Sequence, residues 1–222
     1  MSTTTETPDT GAETFSAILR SRTSGDHRTA ERNPFMAALL RGELPLSGYT
    51  DMLAQHAYLY EVLEAPAPAV ASDPAVAPLL HEGLLRSAAL DADLRALVGD
   101  GWREVHPPSA ATERYVARVR EVAETWPGGY AAHHYTRYLG DLSGGQFIGK
   151  VATRTYGLEE RVNDNFARFE GLGDLDAFKA AYRAALDAAP WDRAEQERVI
   201  DEIHAAYAFN SDVFEDLTHH VA

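Results

Sequence analysis

The sequence contains no cysteine, which excludes disulfides, thiolate metal ligands and a cysteine nucleophile. Lysine is nearly missing too: of 20 basic residues only Lys150 and Lys179 are lysine, which leaves 18 arginines. Alanine is abundant, so the arginine bias reads as a composition effect, and single arginines carry little information. No stretch approaches the roughly 20 apolar residues that a bilayer span needs. The segment Met1 to Asp9 has neither a basic start nor an apolar centre and is not a secretory signal. His219-His220-Val221-Ala222 carries no tail anchor, so the expected location is cytoplasmic. The net charge of -14 leaves a nucleic-acid partner dependent on a local basic patch, and none is visible. No dinucleotide-binding glycine fingerprint is present, so any redox chemistry must draw its electrons from outside the chain.

What is present suits one globular domain. The 222 residues are 45% hydrophobic and 24% charged, enough apolar material for a sizeable core. Residues 1–12 are polar and are expected to be a disordered lead-in; residues 13–222 are expected to fold together. Phe15, Ile18 and Leu19 begin an apolar helical face that continues past Gly25. Asn33-Pro34 is a cap followed by proline in the first turn, predicting a helix to Gly42. Ser47 is expected to cap a helix reaching Pro66. A long segment, Leu79 to Val98, precedes a Gly99–Pro108 loop. Ser109 or Thr112 starts a helix ended by Pro127-Gly128-Gly129. Helical pattern resumes from Tyr130 to Tyr156 and again over Phe178 to Leu186 and Ala194 to Leu217. With no alternating strand pattern and no repeat, the expected class is all-α, a single-domain bundle of helices.

The segment from Tyr130 to Tyr156 contains an anomaly. Gly140, Gly144 and Gly145 lie among residues that otherwise favour helix, and each interior glycine costs roughly 0.5–1 kcal/mol relative to alanine. Two explanations stand side by side: close helix packing or a cap-and-restart, and a backbone face left bare for a flat ligand. Asp141 reads equally as the cap of a restarting helix or as a carboxylate that holds ordered water. Elsewhere, nine histidines are spread along the chain, and spacing does not choose among them. His27 has one local distinction, Glu31 four residues on, on the same helical face. Lys179 and Arg183 also share a face, as a solvated basic edge or as a site for anionic groups.

Two stretches carry a resemblance. Tyr135-Thr136-Arg137-Tyr138-Leu139-Gly140-Asp141-Leu142-Ser143-Gly144-Gly145-Gln146, preceded by Ala131-Ala132-His133-His134, resembles the distal-helix signature of the haem oxygenase family. His27-Arg28-Thr29-Ala30-Glu31-Arg32-Asn33-Pro34-Phe35-Met36 is similar to the family's proximal segment. The likeness runs from about residue 13 to 218 and is strongest to the soluble bacterial members. It implies haem held between a proximal and a kinked distal helix. His27 would be the axial iron ligand, with Glu31 near its second nitrogen. Arg20, Tyr135, Lys179 and Arg183 would surround the propionates, with Arg20 standing where many relatives have lysine. Gly140 and Gly144 would bring backbone close to the haem, and Asp141 would anchor a proton-delivering water chain. Arg137, Tyr60 and Asn210 match positions of the extended distal network. The implied reaction is oxygen-dependent cleavage of haem b at the α-meso carbon to biliverdin, carbon monoxide and ferrous iron. Electrons would come from a ferredoxin or flavoprotein reductase.

Two other functions compete with this one. A haem carrier or sensor would keep His27 but has little use for Asp141. A non-haem di-iron enzyme of the same fold would need Glu, Asp and His ligands converging from several helices, toward which His81-Glu82 and Glu202-Ile203-His204 are fragments. A thiaminase-type hydrolase would require the missing cysteine.

Overall fold

The computed structural model describes residues 13–221; the lead-in expected over residues 1–12 lies outside the described residues. Among those described, every regular element is helical. α1 (Phe15–Glu31) and α2 (Pro34–Arg41) meet at Asn33, whose Oδ1 accepts the Phe35 N–H at 2.9 Å. This is the local capping that the sequence announces. Gly42 closes α2 at φ 71°, and a Cβ there would come within 2.6 Å of Thr155 Oγ1. Both the left-handed backbone and the close approach therefore demand glycine.

α3 (Leu46–Leu63) is buried along almost its whole length. Its cap position is Pro45, and Ser47 lies inside the first turn, so the expected serine cap is not used. Proline's fixed φ already suits the start of a helix. The segment expected as one unit from Leu79 to Val98 is divided. After the short α4 (Pro68–Ala71), two 3-10 turns (Ala77–Leu79 and Glu82–Leu84) precede α5 (Ser87–Leu97). The Gly99–Pro108 loop contains a single turn, α6 (Trp102–Val105), that buries Trp102.

α7 (Ala110–Thr125) starts at Ser109, whose side chain accepts the Thr112 N–H. Pro127 ends it and at once occupies the first turn of α8 (Pro127–Gly140), so Gly128 and Gly129 open a helix rather than a loop. The reason is packing. A Cβ at Gly128 would meet Glu195 Oε1 at 2.4 Å, and one at Gly129 would meet the Trp126 ring at 2.3 Å. A π-helical stretch, Asp141–Gly145, joins α8 to α9 (Gln146–Tyr156). α10 (Leu175–Asp187) and α11 (Arg193–Asp216) begin at Asp174 and Asp192, whose carboxylates cap them.

The core lies where α3, α7, α8 and α11 cross, filled by Tyr60, Tyr115, Tyr130, Tyr138, Leu53, Leu63, Val119 and Ile203. Several polar groups inside it are paired across helices, while Tyr115 Oη and His133 Nδ1 are buried without a hydrogen-bond partner among the described residues. Glu202 on α11 takes Arg118 of α7 at 2.6 Å and His133 of α8 at 2.9 Å. Burial opposes its ionisation, but these partners win and hold its pKa down to about 2. His134 is bonded to Tyr182 at 2.7 Å, and His56 to the Met52 carbonyl at 2.7 Å. Burial pushes both pKa values down to about 3, with Arg137 adding to the effect on His56.

These depressed histidine values set a pH dependence. The folded state refuses protons that the unfolded chain accepts below its ordinary value near 6.5. The stability held above that value is therefore lost as pH falls toward 3, by up to about 1.4 kcal/mol per pH unit for each histidine. Chemical denaturation from pH 7 to 4 should show this slope, and His134→Gln should flatten it; an unchanged slope would contradict the assignment.

Candidate active site

A cavity of about 320 Å³ lies between α1 and the α8–α9 segment, within the range of small-molecule sites of roughly 300–1,000 Å³. Met36 and Leu40 of α2, Tyr49 and Met52 of α3, Ile148 of α9 and Phe214 of α11 give it apolar walls. His27 and Ala30 line it from α1; Thr136, Arg137, Gly140, Asp141, Gly144 and Gly145 line it opposite. His27 is exposed, and its ring stands edge-on to Tyr207 at 6.4 Å. Glu31 ends α1, and its side chain lies outside the described residues.

The structure distinguishes between the two explanations of the glycines. Gly140 and Gly145 have right-handed helical dihedrals, so no unusual backbone angle calls for glycine there. A Cβ built on Gly140 or Gly144 would meet nothing within 4 Å, so no packed helix requires their smallness either. Both look into the cavity, where a side chain would take up the space. The helix is not broken; it widens into one π-turn, a device that re-aims side chains at functional sites. Asp141 does not cap a restarting helix: the N-cap positions there are Gly140 and Gly145, and its carboxylate bonds Tyr60.

Instead Asp141 centres a buried polar network. It accepts a short hydrogen bond from the Tyr60 hydroxyl. Arg137 reaches it at 3.6 Å, donates to Asn210 Oδ1 at 2.7 Å and approaches Tyr60 Oη at 3.4 Å. Residues 60, 137, 141 and 210 thus come from three helices to one place. Burial raises the Asp141 pKa above its ordinary value, against the pull of Arg137, Tyr60 and Arg86. Burial also raises that of Tyr60 strongly, keeping the hydroxyl a proton donor.

At the other side, Arg20 and Arg183 flank half-buried Tyr135. Burial raises the Tyr135 pKa while both guanidiniums pull it down. Arg183 Nη1 lies 3.5 Å from the Lys179 carbonyl one turn back, and Lys179 pairs with Asp176 at 2.8 Å. None of these four lines the apolar cavity itself. Only Arg20 and Arg183 are brought to Tyr135, while the Lys179 ammonium is turned to Asp176.

Several lining residues have no signal in the sequence. Phe166 and Ala167 enter from the irregular stretch between α9 and α10, and Phe166 stands edge-on to His56 and Tyr60. That stretch is gripped by two α5-side residues of opposite charge. Buried Asp93 accepts the N–H groups of Asn165 and Phe166 at 2.9 and 2.8 Å. Buried Arg86 donates to the carbonyls of Phe166 and Arg168, with its guanidinium over the Phe169 ring. The fragments proposed for a di-iron centre are engaged elsewhere: Glu202 in the α7–α8–α11 lock, His204 with Asp26 at 2.7 Å, and His81 as a turn cap. They do not converge.

The family profile described as Heme oxygenase matches residues 13–216. The chain belongs to the haem oxygenase family. It is 37% identical over 199 residues to Heme oxygenase 1 of Nostoc sp., covering 90% of this chain and 84% of that protein. It is 35% identical over 212 residues to Heme oxygenase 1 of Homo sapiens, covering 95% and 74%. The crystal structure of heme oxygenase-1 from Synechocystis sp. in complex with heme matches with TM-score 0.87 and 34% identity, covering 93% of each chain. The structure of the Leptospira interrogans haem oxygenase matches with TM-score 0.86 and 35% identity, covering 92% of this chain and all of that one. As a haem oxygenase the chain is an oxidoreductase, with haem as substrate and oxygen as co-substrate. Among the described residues no helix is long and apolar enough to cross a membrane.

The bare glycine face makes a prediction with opposite signs. Gly140→Ala should stabilise the haem-free protein by about 0.5–1 kcal/mol, the ordinary helix-propensity gain. The same methyl, entering the cavity, should weaken haem binding. Thermal melts with and without hemin measure both; equal stabilisation of the two forms would refute the role given to the glycine.

Proposed function

We propose that haem enters the cavity with its iron on His27 and its face against Gly140 and Gly144, and is cleaved there at the α-meso carbon. The observation that carries this reading is the side-chain-free helical face at Gly140 and Gly144, opposite His27 and beside buried Asp141. Haem supplies the iron at which oxygen is activated. His27 would hold the iron, and Glu31, four residues on, would be the acceptor for its second nitrogen. Arg20, Tyr135, Lys179 and Arg183 take the propionates, which fixes ring rotation and so the meso carbon presented to the distal side.

On that distal side the chain offers the backbone of Gly140 and Gly144, and His56, which also lines the cavity, is engaged by the Met52 carbonyl. Asp141, held by Tyr60 and Arg137 with Asn210 behind, orders water and passes protons. A carboxyl raised by burial and flanked by a proton-donating phenol suits that exchange. A carrier would have no use for this buried network. Electrons come from a separate ferredoxin or flavoprotein reductase, in the cytoplasm.

The test is turnover of bound haem. Hemin added anaerobically should give a histidine-ligated Soret band, and oxygen with a reductant should convert it to α-biliverdin. Stable haem through these conditions would favour a carrier, and another isomer would overturn the assigned propionate contacts.

A further inference from the structure

We propose that Asp51, His219 and His220, with His106 beside them, bind one divalent transition-metal ion of the zinc class, at a site separate from the haem cavity. After α11 the chain makes a 3-10 turn, Thr218–His220, that folds back onto the start of α3. It approaches so closely that a Cβ on Gly48 would lie 3.1 Å from the His220 Cβ. Glycine at position 48 is thus what admits the turn. One ligand atom from each of Asp51, His219 and His220 then lies within 4.8 Å of the others.

His220 Nε2 hydrogen-bonds Asp51 Oδ2 across the cluster through a proton that a bound ion would displace, and the other contacts orient the ligands. His219 Nδ1 sits 2.8 Å from the Asp216 carbonyl. It must donate there, which leaves the lone pair on Nε2, the tautomer of a ligating histidine with an outer acceptor. Gln55 Nε2 donates to Asp51 Oδ1 at 2.8 Å and orients the carboxylate. Thr50 Oγ1 lies 3.1 Å from both the Ser47 carbonyl and His106 Nε2. The other nitrogen of His106, Nδ1, then faces Asp51 Oδ1 at 3.6 Å.

Spacing and chemistry agree on the ion. His220 Nε2 and Asp51 Oδ2 are 3.0 Å apart, near the edge of about 3.3 Å of a tetrahedron with bonds of about 2.0 Å. Imidazole and carboxylate donors without sulfur suit zinc, nickel or cobalt. Such an ion would join residues at opposite ends of the folded chain, the turn after α11 and the first turns of α3.

The experiment uses chelator-treated, haem-loaded protein, so that the haem cavity is filled. Zn²⁺ is titrated by calorimetry and thermal melting, and Co²⁺ by its visible spectrum. One ion per chain and a higher melting temperature are expected. Asp51→Asn, His220→Gln and His219→Ala should each weaken binding at least about tenfold. His219 is exposed, so its replacement leaves the fold intact even where the Asp51 variant does not. The Soret band of each variant confirms an intact haem site. No binding below about 100 µM Zn²⁺, or equal affinity in wild type and the His219 and His220 variants, would overturn the proposal.

Discussion

His27→Ala should abolish the histidine-ligated haem spectrum and reduce biliverdin formation by at least about 100-fold, some 2.7 kcal/mol of activation free energy. Exogenous imidazole should restore the spectrum and part of the rate. The expectation follows from placement. His27 lies on the exposed side of α1 where it borders the cavity, so truncation leaves the helical packing in place. On the proposed reading the apolar walls would still accept the porphyrin and the Arg20, Arg183 and Lys179 cations would still hold its carboxylates. The nitrogen at the iron would be lost along with the ring contact to Tyr207, and imidazole diffusing into the vacated space would replace it. The assignment would fail if the variant kept its axial band without added imidazole, since another histidine would then be the ligand. His56 is the competitor within the cavity. Its Nδ1 is committed to the Met52 carbonyl, and burial keeps its ring neutral.

Asp141→Asn should separate binding from chemistry. Asparagine keeps the shape and can still accept from Tyr60, but it carries no exchangeable carboxyl proton. Haem affinity should stay within about threefold, under 0.7 kcal/mol. Biliverdin formation should fall about 10²–10³-fold, the usual contribution of a positioned proton-transfer group. Single-turnover absorbance after oxygen and reductant addition measures the second quantity and hemin titration the first. Biliverdin formed at the wild-type rate would remove Asp141 from the mechanism. Asparagine is preferable to alanine, because it keeps an acceptor for the buried Tyr60 hydroxyl, where truncation would leave that group unpaired at about 1–3 kcal/mol. That would confuse folding with catalysis.

The two explanations left open for the glycines are separated by one measurement of space. Had a Cβ at Gly140 or Gly144 met a neighbouring helix, as it does at Gly128, packing would account for them. It meets nothing, so the helix-propensity cost is offset by what the bare face admits. No sequence pattern distinguishes these cases, because both are glycines inside helical runs. The same holds for arginine. The composition bias made each one uninformative, yet Arg137 and Arg86 are buried and organise, respectively, the distal network and the stretch that carries Phe166.

By itself the sequence determined the helical class, the starts at Asn33 and Ser109 and the stop at Gly42. Capping and left-handed turns are contacts between residues two to four apart, so their signals are local. It also carried the distal and proximal runs that mark the family. Only the tertiary structure decided which residues meet. Tyr60 reaches Asp141, Arg137 reaches Asn210 and Arg86 reaches Arg168 across gaps of 81, 73 and 82 positions. Such pairings depend on burial, which removes water as the alternative partner and makes each buried charge depend on a neighbour supplied by another helix. Ser47, which failed as a cap, and Asp141, which proved no cap at all, show the same boundary. A local pattern states what a side chain is able to bond, and packing selects what it does bond.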